Sequence, residues 1–171
     1  MWVQIKRLFK HRWAEDSIRA VAPDAVLRLA QQVAGSERHH SGEIRLCIEA
    51  GLPNRYLLTT EGTHALVRRR AIDQFGELRV WDTEQNNGVL IYLLLAEHSI
   101  EVVADRGLNP HVSPEAWLAM VRRLSSALHE GQFEAGLTQA IEEVSAILRA
   151  HFALAEGTHN PNELPDTPLL R

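Results

Sequence analysis

Apolar residues follow helical spacing in four stretches between Pro23 and Phe152. The spacing predicts amphipathic helices over Pro23 to Ser36 and over Thr63 to Phe75. Ser113 is a good N-cap residue with Pro114 at the first helical position, so a third helix should begin there. A glycine break separates that helix from the last stripe, which runs from Phe133 to Phe152. We expect the two C-terminal stripes to pack in the core.

Three other stretches have the pattern of strands. Residues Glu43 to Ala50 alternate between an apolar set and a mixed set of side chains. Val89 to Leu95 is apolar on both faces, which predicts a central strand that is covered on both sides. Ile100 to Ala104 is the next strand, and the short connection before it predicts an antiparallel hairpin.

The order of these elements predicts an α/β fold. We expect an α/β/α sandwich with a central mixed sheet and helices on both faces. The connection from the first strand to the central strand should be a right-handed parallel crossover. The hairpin centre is predicted between Glu97 and His98, which places Asp105 opposite Leu90.

This topology brings polar residues to one edge of the sheet, which we call the rim. The loop before the central strand meets the loop after the next strand, and the first strand starts at the same edge. The predicted rim consists of Trp81, Asp82, Thr83, Glu84, Gln85, Asn86, Asn87, Asp105, Arg106 and Gly107, with His39, His40, Ser41 and Glu43 from the start of the first strand. The helix that begins after Ser113 should bring free backbone N–H groups close to it.

Three acids dominate the chemistry of the rim. Asp82, Glu84 and Asp105, together with asparagine oxygens, suit a hard cation such as Ca²⁺ or Mg²⁺. Two other interpretations stay open: a structural network in which Arg106 pairs with an acid, and a pocket for a ligand or peptide. The candidates for ligand contact are Thr83, Asn86, Asn87, Arg106, His40 and Glu43. If the rim is an active site, the candidates for catalysis are Asp82, Asp105 and Arg106.

The composition of the chain limits its possible domain number, binding partners and location. A chain of 171 residues with 45% hydrophobic content suits one globular domain. Its net charge of −4 argues against nucleic-acid binding, which needs a basic surface. Cys47 is the single cysteine and lies in a predicted strand, so we expect a buried, inert thiol. The sequence shows neither a transmembrane-length apolar run nor a secretory signal, and the expected location is the cytoplasm.

The two ends of the chain differ from residues 21–153, which we predict to be the folded domain. Residues 1–20 are predicted to form a basic amphipathic helix. Its basic residues include Lys6, Arg7, Lys10 and Arg12. This helix either docks its apolar face on the domain or makes a peripheral contact with the inner membrane or a partner. Residues 154–171 are rich in proline and asparagine, which predicts either a disordered end or an extended arm.

Several motifs resemble one known family. They are SGEIR (Ser41 to Arg45), VWDTEQNNGVLIY (Val80 to Tyr92), ADRG (Ala104 to Gly107) and NELPD (Asn162 to Asp166). The chain resembles the TPM domain family, and more closely a bacterial subgroup without a signal peptide. The resemblance implies an α/β/α sandwich, a phosphatase activity, and calcium binding in some members. The positions that match in or beside the family motifs are Asp82, Asn86, Asn87 and Asp105.

Two functions are consistent with these features. The first is a non-enzymatic binding or accessory module that acts with a membrane or envelope protein, because the sequence shows no activated nucleophile. The alternative is a metal-dependent phosphatase, an acid phosphatase-like hydrolase. In that case Arg106 would hold phosphate, and the rim acids would hold Ca²⁺ or Mg²⁺ to activate water.

Overall fold

A mixed sheet forms the centre of the computed structural model, which describes residues 2–12, 14, 19 and 21–171. Its strands are β1 (Ile44–Glu49), β2 (Val89–Leu94), β3 (Ser99–Ala104) and β4 (Leu169–Leu170). They lie in the order β3-β2-β1-β4. Strand β1 runs parallel to β2 and β4, whereas β2 runs antiparallel to β3. The predicted α/β fold with a mixed sheet is confirmed.

Helices cover both faces of this sheet. They are α1 (Trp2–Arg12), α2 (Pro23–Glu37), α3 (Asn54–Leu57), α4 (Thr63–Glu77), α5 (Pro114–His129) and α6 (Phe133–His151). Apolar side chains of α2, α5 and α6 share one core cluster with the sheet. Those of α1, α3 and α4 share a second cluster on the opposite face. Among the helices that the structure describes, none is long and apolar enough to cross a membrane.

The helix boundaries follow local sequence signals. The hydroxyl oxygen of Ser113 accepts a hydrogen bond from Ala116 N at 3.2 Å, which confirms the predicted N-cap of α5. Gly131 has a φ of 75° and separates α5 from α6, a conformation that glycine adopts without strain. The sequence did not predict α3, because four residues are too few for a helical pattern to be visible.

Strand β1 is buried along its whole length. Its apolar residues Ile44, Leu46 and Ile48 face the α2, α5 and α6 side. Cys47 faces the other side, where burial raises the pKa of its thiol to about 12, in agreement with an inert thiol. The same face also buries charged side chains. The alternation in the sequence predicted that they share a face, but it did not indicate that this face is covered.

The predicted hairpin register was wrong by two residues. Asp105 lies opposite Gly88 rather than Leu90, and the Asp105 N–H donates to Gly88 O at 2.9 Å. The cause lies in the connection, where Leu95–Glu97 form a 3₁₀ turn and His98 takes a left-handed conformation with a φ of 48°. Because the shift is two residues, each side chain stays on its predicted face of the sheet.

Helix α1 contacts the domain through its C-terminal part. Leu8 packs against the second core cluster. The His11 ring is buried and accepts a hydrogen bond from Leu52 N at 3.0 Å. Its other ring nitrogen, 2.9 Å from Glu97 Oε1, must then be the donor. The apolar face predicted for the N-terminal helix also includes Trp2, Ile5 and Trp13, which lie outside the side chains that the structure describes.

The C-terminal residues form an extended arm along β1. The Arg171 N–H donates to Ile48 O at 2.9 Å and completes the short parallel pairing of β4. The Arg45 side chain donates through one nitrogen, Nη1, to the carbonyl oxygens of Pro165 and Thr167. Strand β1 therefore has a neighbour on each side.

A buried ion pair joins β1 to α4. Glu49 accepts two hydrogen bonds from the Arg70 guanidinium, both at 2.8 Å. The two side chains are only 5% and 3% exposed. The Tyr92 hydroxyl donates to the same carboxylate at 2.7 Å. Because a buried charge that loses its partner keeps its full desolvation cost, this pair must stay intact.

We expect Arg70→Met to lower the free energy of unfolding by about 3–5 kcal/mol, because Glu49 would remain buried without its cation. Arg69→Met is the matched control, since Arg69 forms an ion pair with Glu61 that is exposed to solvent and contributes about 0–1 kcal/mol. Chemical denaturation measures both variants. Equal losses in the two variants would contradict a special role for the buried pair.

Candidate functional site

The loop before β2 is held in shape by its own polar groups. Thr83 is buried, and its hydroxyl oxygen accepts a hydrogen bond from Asn87 N at 3.1 Å. Asn86 N donates to the carbonyl oxygen of Thr83, also at 3.1 Å. Asn86 has a φ of 53°, a left-handed conformation that asparagine tolerates better than most residues. The predicted ligand-binding residue Thr83 therefore organises the loop from inside.

The two loops of the rim meet as the topology predicted. Gly107 N donates to Asn86 O at 2.9 Å. A Cβ atom at Gly107 would lie 2.5 Å from Asn86 O and 2.7 Å from Gln85 O, so only glycine allows this approach. Arg106 Nε donates to Asn86 Oδ1 at 3.0 Å, which holds its exposed guanidinium at the rim.

Glu43 Oε1, beneath the rim, is a buried acceptor without a described partner, and two more such acceptors lie at the end of the hairpin. One is on Asp105, whose Oδ1 accepts from Arg106 N at 2.7 Å while Oδ2 has no hydrogen-bond partner among the described residues. The other is on Asn87, whose Nδ2 donates to Ser41 Oγ at 3.1 Å while Oδ1 has no described partner. Both side chains are buried. Asp105 lies opposite Gly88, the residue next to Asn87, so the two acceptors belong to the same end of the hairpin.

The other two predicted acids are placed differently. Asp82 and Glu84 are exposed in the loop before β2. The backbone N–H of Glu84 donates to the carboxylate of Glu163 in the C-terminal arm, at 3.1 and 3.2 Å. Within the described residues, no three His, Cys, Asp or Glu side chains form a group that could hold a metal ion. Of the three acids in the predicted metal set, only Asp105 is buried at the rim.

His40 and Glu43 lie inside the protein, beneath the rim. His40 contacts Ser36 Oγ at 2.7 Å and Gly42 O at 3.0 Å, and burial lowers the pKa of its ring to about 4. Glu43 is buried and accepts a hydrogen bond from Leu164 N at 3.0 Å. Both side chains therefore have structural contacts in this arrangement, His40 to α2 and Glu43 to the arm.

The arm was the part of the rim that the sequence did not indicate. Besides the Glu163 contact, Asn160 Nδ2 donates to His40 O at 3.2 Å. Ser41 was expected at the rim but not among the contact residues, and its hydroxyl connects Asn87 to Gln85 Oε1. The sequence signals were the NELPD motif and the acid and amide content of the proline-rich tail, and neither identified a partner.

Comparison with known proteins places this arrangement in a family. A sequence model described as the TPM domain matches residues 16–147. The chain belongs to the TPM domain family. The NMR structure of the BA42 protein from the psychrophilic bacterium Bizionia argentinensis matches this TPM domain with a TM-score of 0.70 and 27% sequence identity. The match covers 87% of this chain and 94% of BA42. No curated protein matches the chain.

The range matched by the family model includes the whole predicted rim but ends before the arm. The matched range, residues 16–147, contains both loops that meet at Gly107. Residues 160–171, which contact Glu43 and β1, lie beyond it. The arm therefore lies outside the matched range, and it contacts the rim through Glu163 and Asn160.

The buried ring of His40 should make stability depend on pH. Its pKa is lowered from 6.5 to about 4, so between these values the unfolded chain binds a proton that the folded chain does not. We expect the free energy of unfolding to fall by up to about 3 kcal/mol more in the wild type than in His40→Gln between about pH 7 and pH 4.

His39→Gln is the matched control for this measurement, because His39 is the exposed neighbour of His40. Variants must be compared because burial also raises the pKa of Glu37 to about 9. This shift adds a pH dependence of the free energy of unfolding that has the opposite sign. Parallel pH profiles for the wild type and His40→Gln would contradict the prediction.

Proposed function

We propose that the chain is a non-enzymatic binding or accessory module of a membrane or envelope protein system, with the rim as its binding surface. One observation carries the proposal: two acceptor oxygens, Asp105 Oδ2 and Asn87 Oδ1, are buried at the rim without described partners. A buried acceptor without a hydrogen bond costs on the order of 1–3 kcal/mol. A bound group that supplies a donor or a positive charge would recover that cost.

The chemistry of the two acceptors supports a cationic ligand. A carboxylate and an amide oxygen are ligands that Mg²⁺ and Ca²⁺ prefer. Mg²⁺ commonly keeps several waters and needs only one or two carboxylates, so one buried acid at the rim is compatible with it. Calcium, which takes more protein oxygens, fits this donor set less well. An N–H group from a partner protein would satisfy the same acceptors.

A second candidate function is a metal-dependent phosphatase. The observation in its favour is Arg106, whose Nε is fixed by Asn86 while its guanidinium stays exposed beside Asp105. A guanidinium held in this way matches the geometry of a phosphate group. A cation at Asp105 would supply charge stabilisation to a phosphate ester there.

The membrane part of the proposal rests on α1. Phe9 is 61% exposed, and Arg12 is exposed on the same short helix. Lys10, His11 and Leu8 face the domain, so the helix presents an aromatic and a basic side chain outward while it stays docked. An exposed aromatic beside basic residues is suited to peripheral contact with anionic lipid.

If the rim binds a cation, Ca²⁺ or Mg²⁺ should raise the melting temperature through mass action. A cation at ten times its Kd adds about 1.4 kcal/mol, which corresponds to roughly 3–6 °C for a domain of this size. We expect Asp105→Asn to abolish the increase, because it removes the buried charge and keeps the side-chain shape. Differential scanning calorimetry measures the shift.

Glu156→Gln is the control, since this acid is exposed on the arm. Asp82→Asn and Glu84→Gln show whether the exposed acids contribute. An unchanged transition in millimolar cation, or an equal shift in Asp105→Asn, would remove the rim as a cation site. Hydrolysis of a phosphomonoester by the wild type, with loss of activity in Arg106→Lys, would favour the second candidate function.

The exposed aromatic of α1 should contribute to membrane contact. We expect wild-type protein to float with vesicles that contain anionic phospholipid. Phe9→Ser should bind about tenfold more weakly, because it loses the exposed aromatic ring that would enter the lipid surface. Leu27→Ser is the matched control, since Leu27 is also an exposed apolar residue but lies on α2. If the wild type does not float, the membrane part of the proposal fails.

A further inference from the structure

Within the part of the chain that the structure describes, one edge of the sheet has no neighbouring strand. Strand β3 is outermost, and it has six residues. Because Asp105 N bonds to Gly88 O, alternate residues of β3 direct their backbone groups toward β2. The backbone groups of Ile100, Val102 and Ala104 therefore point away from the sheet. A row of outward N–H and C=O groups is the structure to which an additional strand binds.

This edge forms the floor of a groove between two helices. A cavity of about 510 Å³ lies along it, between α4 and α5. The α5 wall is apolar and includes Trp117, Leu118 and Val121, of which Leu118 is 40% exposed. The α4 wall carries His64 and Arg68, whose side chains are both largely accessible. The two walls thus differ in chemistry, one apolar and one basic.

Arg68 occupies the edge itself. Its Nη1 donates to Val102 O at 2.7 Å, the position that an N–H of an added strand would take. The same nitrogen lies 3.3 Å from Oε2 of Glu101, an acid that also lines the groove and lies 3.7 Å from His64. A charged side chain over an edge carbonyl protects a sheet against unspecific pairing. Because Arg68 is long, flexible and partly exposed, it can leave Val102 O and keep its contact with Glu101.

We propose that the groove along β3 binds an extended segment of another protein in which apolar and acidic residues alternate. The outward backbone groups of β3 require an extended chain as the occupant. Side chains of an added strand point alternately to its two faces. Those on one face meet the apolar wall of α5, and those on the other meet Arg68 and His64. This site goes beyond the rim and does not use Asp105 Oδ2 or Asn87 Oδ1.

A synthetic peptide tests the proposal. The probe has seven alternating valine and glutamate residues, flanked by serines for solubility, and is titrated into ¹⁵N-labelled full-length protein. We expect saturable shifts at the amides of Ile100, Val102 and Ala104 and on the α5 wall, with a Kd below about 1 mM. The same peptide with lysine in place of glutamate should bind about tenfold more weakly, because it faces Arg68. N-methylation of alternate backbone nitrogens of the peptide should abolish binding, since it removes the N–H groups that donate to the carbonyl oxygens of β3.

Two variants test the two walls of the groove separately. Leu118→Glu should weaken binding about tenfold, whereas Leu27→Glu, at a more exposed leucine on α2, should leave it unchanged. Arg68→Gln should remove the preference for glutamate over lysine while the protein stays folded.

The proposal is overturned if no saturable binding occurs in the millimolar range, or if the lysine peptide binds as well as the glutamate peptide. Shifts confined to residues outside the groove would overturn it too. Dimerisation without peptide, measured by sedimentation and lost in Leu118→Glu, would assign the groove to a second copy of the chain and would also overturn it.

Discussion

The burial of charged side chains on β1 is the constraint on which the rest of the structure depends. Arg45 and Glu49 of this strand share one face with Glu43, the residue before it, and all three are buried. None of them can be solvated there, so each must receive a partner from another element. Helix α4 supplies Arg70 to Glu49, and the arm supplies backbone groups to the other two. Apolar packing holds both faces of the sheet, and on the α4 face charge neutralisation adds to it through Arg70 and the arm.

The rim depends on this arrangement. Because β1 and β2 are parallel and β3 returns antiparallel, the start of two strands and the end of the third meet at one edge. The close approach at Gly107 fixes the two loops against each other, and Ser41 joins them to the start of β1. The side chains of Asp105 and Asn87 are each fixed by a hydrogen bond, Asp105 to Arg106 N and Asn87 to Ser41 Oγ. Binding at such a preorganised site requires little ordering of side chains.

The sequence predicted the parts of the fold that depend on local patterns. Periodicity alone indicated α2, α4, α5, α6 and three strands, because each buries an apolar stripe or face. The hairpin register depends on the conformation of the turn. No sequence signal near His98 indicates that this residue is left-handed. The meeting of Asp105 with the loop before β2 was predictable from topology. The burial of His40 and Glu43 was not, because it depends on Ser36 and on an arm about 120 residues away.

The arm also bears on the order in which the protein folds. Strands β2 and β3 are joined by a short turn, so they can pair with little loss of chain entropy. The contacts of Arg45 with the arm instead join residues that are 120 and 122 positions apart. Contacts of such high sequence separation form only after most of the chain is restricted. The hairpin is thus expected early and the arm late, and until the arm docks, the charged face of β1 remains hydrated in an otherwise assembled sheet.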